Sequence, residues 1–131
     1  RPFYNNSHTI ESYKKQLEEK QFSVENRAVL VSSLINQYEG IAVTDKVQLN
    51  IDSLNQSNTY TVTTGHQLNL FTGPLYFIYK IVSTINLAKE LKENFSDKNF
   101  VPVFWMATED HDFEEINHFN FVLVKKQSNK F

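Results

Sequence analysis

The feature that most constrains the fold is a long, almost uncharged stretch between two segments with β-strand composition. Between residues 74 and 88 the only charged side chain is that of Lys80, which predicts a helix that is apolar nearly all round in its first half and therefore buried. Its first residue, Pro74, suits the first position of a helix. The β-branched and aromatic residues 60–63 precede this stretch, and the apolar run 100–107 follows it. Strand, helix and strand in this order predict a βαβ unit, and hence an α/β protein with a parallel sheet.

The βαβ pattern leads to expectations about the burial of two side chains, Trp105 and Lys80. Trp105 belongs to the run 100–107, which is predicted to be a strand covered on both faces, so this side chain is expected in the core. A lone buried lysine is costly unless it is paired, whereas lysines commonly extend to the surface. We therefore expect Lys80 either to reach the surface or to pair with Glu109, Asp110 or an anionic substrate.

The residues before the βαβ unit predict helices. Three stretches with apolar residues at helical spacing each follow a capping residue, namely Ser7 or Thr9, Ser23 and Thr44. Gly40 stands where a residue of positive φ ends the second helix. We expect a helical segment over 1–57 and the first part of an α/β core over 58–131. Residues 119–124 predict a last strand, which pairs antiparallel or belongs to an inserted element because the preceding link is too short for a crossover helix.

Composition excludes several classes of protein. A length of 131 residues fits one domain. The absence of cysteine excludes a disulfide scaffold, a cysteine-ligated zinc site and a thiol nucleophile within the chain, and it fits a reducing compartment. A net charge of −2 does not predict a nucleic-acid binder. No apolar run approaches the roughly 18–20 residues of a membrane span.

Glycine is scarce, and two of the three glycines lie close together. Average usage of about 7% would give roughly nine, whereas the chain has Gly40, Gly65 and Gly73. Glycine is needed where the backbone takes positive φ or approaches a ligand closely. The loop predicted over 64–73 joins a strand to a helix, where open α/β sheets bind ligands. We predict a phosphate or carboxylate site there, the alternative being a purely structural turn.

The second unusual segment carries five acidic residues among the seven positions 109–115. Carboxylates this close raise one another's pKa, which favours substrate binding or acid–base chemistry. Metal binding by hard oxygen ligands and capping of a short helix over 112–117 are the alternatives. Neighbouring parallel strands bring their carboxyl ends together, so we expect this acidic loop to lie beside the loop over 64–73.

Two resemblances follow from these residues. The segment Thr63-Thr64-Gly65-His66 resembles the T/H-x-G-H signature of nucleotidyltransferases and class I aminoacyl-tRNA synthetases, in which the histidine stabilises charge on transferring phosphates. Seven residues separate it from Pro74, whereas the signature normally opens its helix directly. A much longer set of matches, in the same order along the chain, is similar to the bacillithiol biosynthesis cysteine-adding enzyme family. The matching segments are 1–4, 64–67, 70–76, 78–80, 101–107, 109–113 and 115–118. His66 departs from the family, where glutamine is as readily expected.

The family resemblance implies a Rossmann-like core and a longer protein, of which this chain is an N-terminal fragment that is inactive alone. It implies a cytoplasmic ligase that joins cysteine to the amine of glucosaminyl-malate, with ATP to activate the carboxyl group. From the charge, the hydropathy and the spacing of the acidic residues we expect no nucleic acid, membrane or metal partner. It also implies a C-terminal coiled coil that pairs two subunits. A non-catalytic nucleotide- or anion-binding module and a metal-dependent hydrolase built on the acidic loop are the alternatives.

The resemblance and the two loops together predict the site. The catalytic candidates, which would orient the sugar amine and accept its proton, are Glu109, Asp110 and His111. The candidates for binding substrate or phosphate are Thr64, Gly65, His66, Gln67, Thr72, Gly73, Tyr76, Lys80 and Asp112.

Overall fold

The computed structural model describes residues 5–109, 114, 117 and 118, and of Thr72 only the backbone. Within this part the chain is an α/β protein, as predicted. Its elements in order are α1 (Ile10–Glu19), α2 (Val24–Gln37), α3 (Asp45–Ser53), β1 (Thr59–Gln67), a 3₁₀ turn (Leu70–Thr72), α4 (Leu75–Asn94) and β2 (Asn99–Ala107). The predicted strand 119–124 lies outside the described residues, as does most of the predicted helix 112–117.

The first three helices begin where the capping residues predict. Thr9, Ser23 and Thr44 each accept a hydrogen bond from the backbone N–H three residues later, which satisfies one of the free donors of a helix start. Gly40 has the predicted positive φ of 76°. It lies two residues after Tyr38, the residue that ends α2, so it closes the following turn.

The predicted βαβ unit is confirmed. Strands β1 and β2 pair in parallel from Thr59 opposite Asn99 to Gln67 opposite Ala107, and α4 packs against both strands. The strand β1 is longer than the predicted 60–63. Because β2 offers backbone partners as far as Ala107, residues 64–67 continue the ladder, and the prediction of a loop over these four residues is wrong.

The burial predicted for α4 is also wrong for its first half. Leu75 is 67% exposed and Tyr79 is 63% exposed, and the buried residues Thr84, Ala88 and Leu91 lie in the second half of the helix. Trp105 is 59% exposed and is not a core residue. The two described strands cover one side of α4, so the apolar side chains of its other side remain at the surface.

The core lies between the N-terminal helices and the sheet. Its buried members Val31, Ile51, Leu54 and Val101 come from α2, α3 and its end, and β2. None of the described helices has both the length and the apolar composition needed to cross a membrane.

Arg27 ties three elements together inside this core. Its side chain is 6% exposed, and its guanidinium donates to the backbone oxygens of Leu54 and Thr59, both at 3.0 Å, and to that of Ser57 at 3.3 Å. The Leu54 oxygen lies at the C-terminal end of α3, where the helix dipole favours a cation. Arg27 therefore satisfies buried carbonyl groups that the α3–β1 turn would otherwise leave without donors.

Candidate functional site

The first segment singled out in the sequence begins beside the end of β2, the strand that leads to the second segment. Gly65 lies opposite Trp105, His66 opposite Met106 and Gln67 opposite Ala107. The carboxyl ends of both strands therefore lie side by side, as predicted, at the edge where α/β sheets bind ligands.

Gly65 lies at a close contact between the two strands. A Cβ atom built on Gly65 would lie 3.0 Å from the backbone oxygen of Trp105 and 3.1 Å from its Cβ. Its φ is not in the left-handed region. Contact with Trp105 is therefore one reason for a glycine at this position, and a role of Gly65 in binding a ligand stays a prediction.

Gly73 is required for its backbone conformation and for the packing of Asn69. It has φ 64° and ψ −152°, a region that is open essentially to glycine alone. A Cβ atom here would lie 2.7 Å from Cβ and 2.8 Å from Cγ of Asn69. Phe71 also has a positive φ, of 51°, so the turn before α4 contains two left-handed residues.

His66 lies at the centre of a polar cluster. Its Nε2 is 2.5 Å from the hydroxyl oxygen of Tyr76. Its Nδ1 is 3.0 Å from the backbone oxygen of Gln67 and 3.1 Å from Nδ2 of Asn69. The ring also contacts Phe77, with 5.9 Å between centroids. The structure therefore brings together His66, Gln67 and Tyr76 of the predicted residues.

Asn69 is the member of this cluster that is absent from the sequence prediction. Its amide nitrogen donates to the backbone oxygen of Gln67 at 3.1 Å in addition to its contact with His66. The available signal is a carboxamide three residues after a histidine in a segment that turns sharply at Gly73, since asparagine bonds locally in turns.

Lys80 reaches the surface and bonds to the same strand. Its Nζ donates to the backbone oxygen of Gly65 at 3.2 Å and lies 5.5 Å from the centre of the Tyr76 ring. The expected alternative of a pair with Glu109 is wrong, because neither salt bridge among the described residues joins Lys80 to Glu109. The Glu109 carboxylate accepts from the indole Nε1 of Trp105 at 3.4 Å. Asp110, the other proposed partner, lies outside the described residues.

A cleft of about 430 Å³ lies between the end of β1 and α4. Its polar lining comes mostly from hydroxyl groups and one ammonium group, and it includes Thr64, Tyr76, Tyr79, Lys80 and Ser83. Most of the cleft surface is apolar, and these hydroxyl and ammonium groups are the donors that it offers to the oxygen atoms of an anion. A second cavity, of about 500 Å³, lies between α1 and the sheet and contains none of the predicted site residues.

The acidic loop is described only at its first residue. Glu109 is exposed and is separated from the end of β2 by Thr108 alone. Asp110, His111 and Asp112 lie outside the described residues, as does the side chain of Thr72. Within the described ranges no three histidine, aspartate or glutamate side chains cluster closely enough to hold a metal ion.

Comparison with known proteins gives the family. Residues 1–131 match the family model described as "Bacillithiol biosynthesis BshC, N-terminal Rossmann-like domain". Three similar proteins, all named "Putative cysteine ligase BshC", come from Flavobacterium johnsoniae, Flavobacterium psychrophilum and Bacillus cereus. Their identities are 57% over 129 residues, 60% over 121 and 39% over 122, covering 97%, 90% and 93% of this chain. The chain spans 24%, 23% and 22% of the length of these relatives.

Proposed function

The chain belongs to the BshC family of bacillithiol biosynthesis as its N-terminal Rossmann-like domain, and we propose on this basis that it supplies part of the active site of a cysteine ligase. The proposed reaction joins the carboxyl group of cysteine to the amine of glucosaminyl-malate and forms an amide. The names of the relatives support a ligase over a non-catalytic binding module or a metal-dependent hydrolase. A cytoplasmic homodimer paired by a coiled coil is part of the same proposal.

The observation that carries the proposal is that donor groups and the carboxylate of Glu109 lie at the same end of the sheet. Lys80 bonds to Gly65 near the end of β1, and Glu109, two residues after the end of β2, begins the acidic segment. Gly65 and Trp105 are direct partners in the ladder, and Trp105 donates to Glu109. A ligase that joins an anionic substrate to an amine needs both cationic and hydroxyl donors and a proton acceptor, and this edge offers both.

The β1 side of the site is proposed to bind anionic groups. Lys80 and Tyr76 line the cleft with N–H and O–H donors, which fit phosphate or carboxylate oxygens, so the residues present are compatible with ATP. When bound, ATP supplies the phosphoanhydride bond whose cleavage activates the cysteine carboxyl group. The further proposed binding residues are Thr64, Gly65, His66, Gln67, Thr72, Gly73 and Asp112. Of these, Gly65 acts by giving β2 room at Trp105, and Gly73 acts by allowing the backbone geometry of the turn.

The β2 side is proposed to handle the proton of the attacking amine. An amine attacks only as the free base, so a carboxylate or imidazole nearby must orient it and accept its proton. Glu109, Asp110 and His111 are the proposed groups. The Trp105 indole donates to the Glu109 carboxylate at 3.4 Å, which supports a position of this candidate base beside the end of β2.

The test is product formation by the complete gene product. With cysteine, glucosaminyl-malate and ATP we expect mass spectrometry to detect the amide product. We expect no amide product when ATP is left out. Replacing both Glu109 and Asp110 by alanine should lower the rate at least about a hundredfold, the usual contribution of acid–base groups. Thermal unfolding of the double variant serves as the folding control. Undiminished product formation by a folded double variant would contradict the proposed roles.

A further inference from the structure

Strand β1 pairs with β2 along one edge, and its other edge has no partner strand among the described residues. Immediately before β1, the backbone oxygen of Asn58 accepts from the N–H of Asn99 at 3.0 Å. Because alternate residues of a parallel strand direct both backbone groups to the same neighbour, the even-numbered residues of β1 face β2. The odd-numbered residues therefore present their N–H and C=O groups at the second edge, which we call the outer edge of β1.

Two cationic side chains bind the ends of this outer edge. Arg27 donates to the backbone oxygen of Thr59 at 3.0 Å, and Lys80 donates to that of Gly65 at 3.2 Å. Both acceptors are odd-numbered residues, which agrees with the direction that the ladder gives to their backbone groups. The two cations therefore mark where the outer edge begins and ends.

Between these two carbonyl groups the outer edge is open. The backbone N–H and C=O groups of Thr61 and Thr63 have no hydrogen-bond partner in the part of the chain that the structure describes. Both threonines are exposed. Extended backbone with free groups on alternate residues is the surface to which a further strand adds, and the length between Thr59 and Gly65 suits a strand of about five residues.

The outer edge of β1 lacks the features that keep a sheet edge unpaired. Such edges usually carry charged residues or proline, whereas residues 59–67 contain no aspartate, glutamate, lysine, arginine or proline. Strand β2 differs, because Asn99 faces β1 and Pro102, three residues later, faces away from it. Proline has no N–H to donate, so it weakens the free edge of β2 as a partner. This asymmetry favours growth of the sheet at β1.

Helices flank this edge on both faces of the sheet. Leu30 of α2 packs against the core that contains Val101, whereas Phe77 of α4 contacts Phe104, with 5.2 Å between the ring centroids. Val101 and Phe104 point to opposite faces, because side chains alternate along a strand. A strand added here lies between two helical layers and must be apolar on both faces.

A cavity of about 500 Å³ lies along the outer edge and has room for such a strand. Its surface is mainly apolar. The lining combines part of β1 with side chains from the flanking helices, namely residues 59–63, Leu17, Leu30, Leu87 and Leu91. The geometry and the lining therefore fit an extended segment rich in aliphatic residues.

The length of the relatives indicates which molecule supplies this segment. The chain spans 24%, 23% and 22% of three relatives, so about three quarters of each relative lies outside the match. A segment of the same polypeptide is tethered and has a high effective concentration. A second copy would bring its own edge between the same flanking helices, which would hold the two edges apart.

We propose that an extended, apolar segment of the complete gene product, from outside residues 1–131, binds the outer edge of β1 as a third strand and pairs with Thr61 and Thr63. Val62 and Thr63 line both the 500 Å³ cavity and the cleft that contains Lys80, so the added strand also borders the candidate site. This inference is independent of the ligase proposal, because it rests on backbone groups and packing alone.

The first test measures amide hydrogen exchange in the complete gene product labelled with ¹⁵N-threonine, with each signal assigned by its loss in the threonine-to-valine variant. Thr64 faces β2 and is the matched reference, since its amide is protected whether or not the outer edge is paired. With a third strand in place, Thr61 and Thr63 should exchange within about tenfold of Thr64. Exchange of both residues more than about tenfold faster than that of Thr64 would overturn the proposal.

The second test identifies the segment by photo-cross-linking. Copies of Thr63→p-benzoylphenylalanine with ¹⁴N and with ¹⁵N are mixed and irradiated, and mass spectrometry maps the linked peptides. We expect a link from position 63 to a peptide outside residues 1–131, with the same isotope in both linked peptides. Links of mixed isotope would identify a second copy and overturn the proposed occupant. The absence of any link outside residues 1–131, in a variant that unfolds at the temperature of Thr63→Val, would also overturn it.

Discussion

Gly65 and Gly73 are the same residue type for two different physical reasons. Gly65 gives β2 room to pass at Trp105, and Gly73 adopts a backbone conformation that other residues avoid. The sequence predicts that both positions are special because glycine is rare in this chain. It does not distinguish close approach from positive φ, because that depends on which residue lies opposite.

Gly40 and Gly73, the two glycines with positive φ among the described residues, provide a pair of variants that can be compared. Gly73→Ala should lower the free energy of unfolding by about 2–3 kcal/mol, because the conformation is unfavourable for alanine and the new Cβ overlaps Asn69. Gly40→Ala, which has a positive φ and nothing within 4 Å of the new Cβ, should cost about 1 kcal/mol. Urea unfolding measures both. Equal losses would show that the contact with Asn69 contributes nothing.

At the scale of elements, local signals predict helices and strands better than they predict burial. The capping residues Thr9, Ser23 and Thr44 mark helix starts because their bonds are local. The length of β1 depends on how far β2 pairs with it, and the exposure of α4 depends on which elements pack against it. Composition alone does not predict these neighbours. Asn69 is missed for the same reason, since its role arises from the turn that brings it to His66.

Arg27 provides the test at this scale. Arg27→Met removes the donor for three backbone oxygens, of Leu54, Ser57 and Thr59. A buried acceptor without a partner costs about 1–3 kcal/mol, so we expect a loss of about 3 kcal/mol or more in chemical denaturation. The control Lys46→Met removes an exposed cation of α3 and should stay within about 0.5 kcal/mol of the wild type. Similar losses of unfolding free energy in both variants would contradict the stabilising role assigned to the hydrogen bonds of Arg27.

At the scale of the whole molecule, the sequence predicts the family and the α/β architecture. It predicts only some of the residues that lie together at the candidate site. The resemblance to the BshC family is carried by long ordered segments and is confirmed by the family match. The division into a helical segment over 1–57 and a core over 58–131 stays a prediction. The roles of Asp110, His111 and Asp112 also stay predictions, because those residues lie outside the described part of the chain.

The most direct test of anion binding in the cleft between the end of β1 and α4 compares two lysines of α4 in the complete gene product. Lys80 lines the cleft, and Lys89 is an exposed lysine further along the same helix. Lys80→Met should lower kcat/KM for amide formation about tenfold or more, mainly through KM, since a hydrogen bond from a charged group contributes about 1.5–3 kcal/mol. Lys89→Met should remain within about twofold of the wild type. Folded Lys80→Met enzyme with the kinetics of Lys89→Met would contradict the proposal that this cleft binds the anionic substrate.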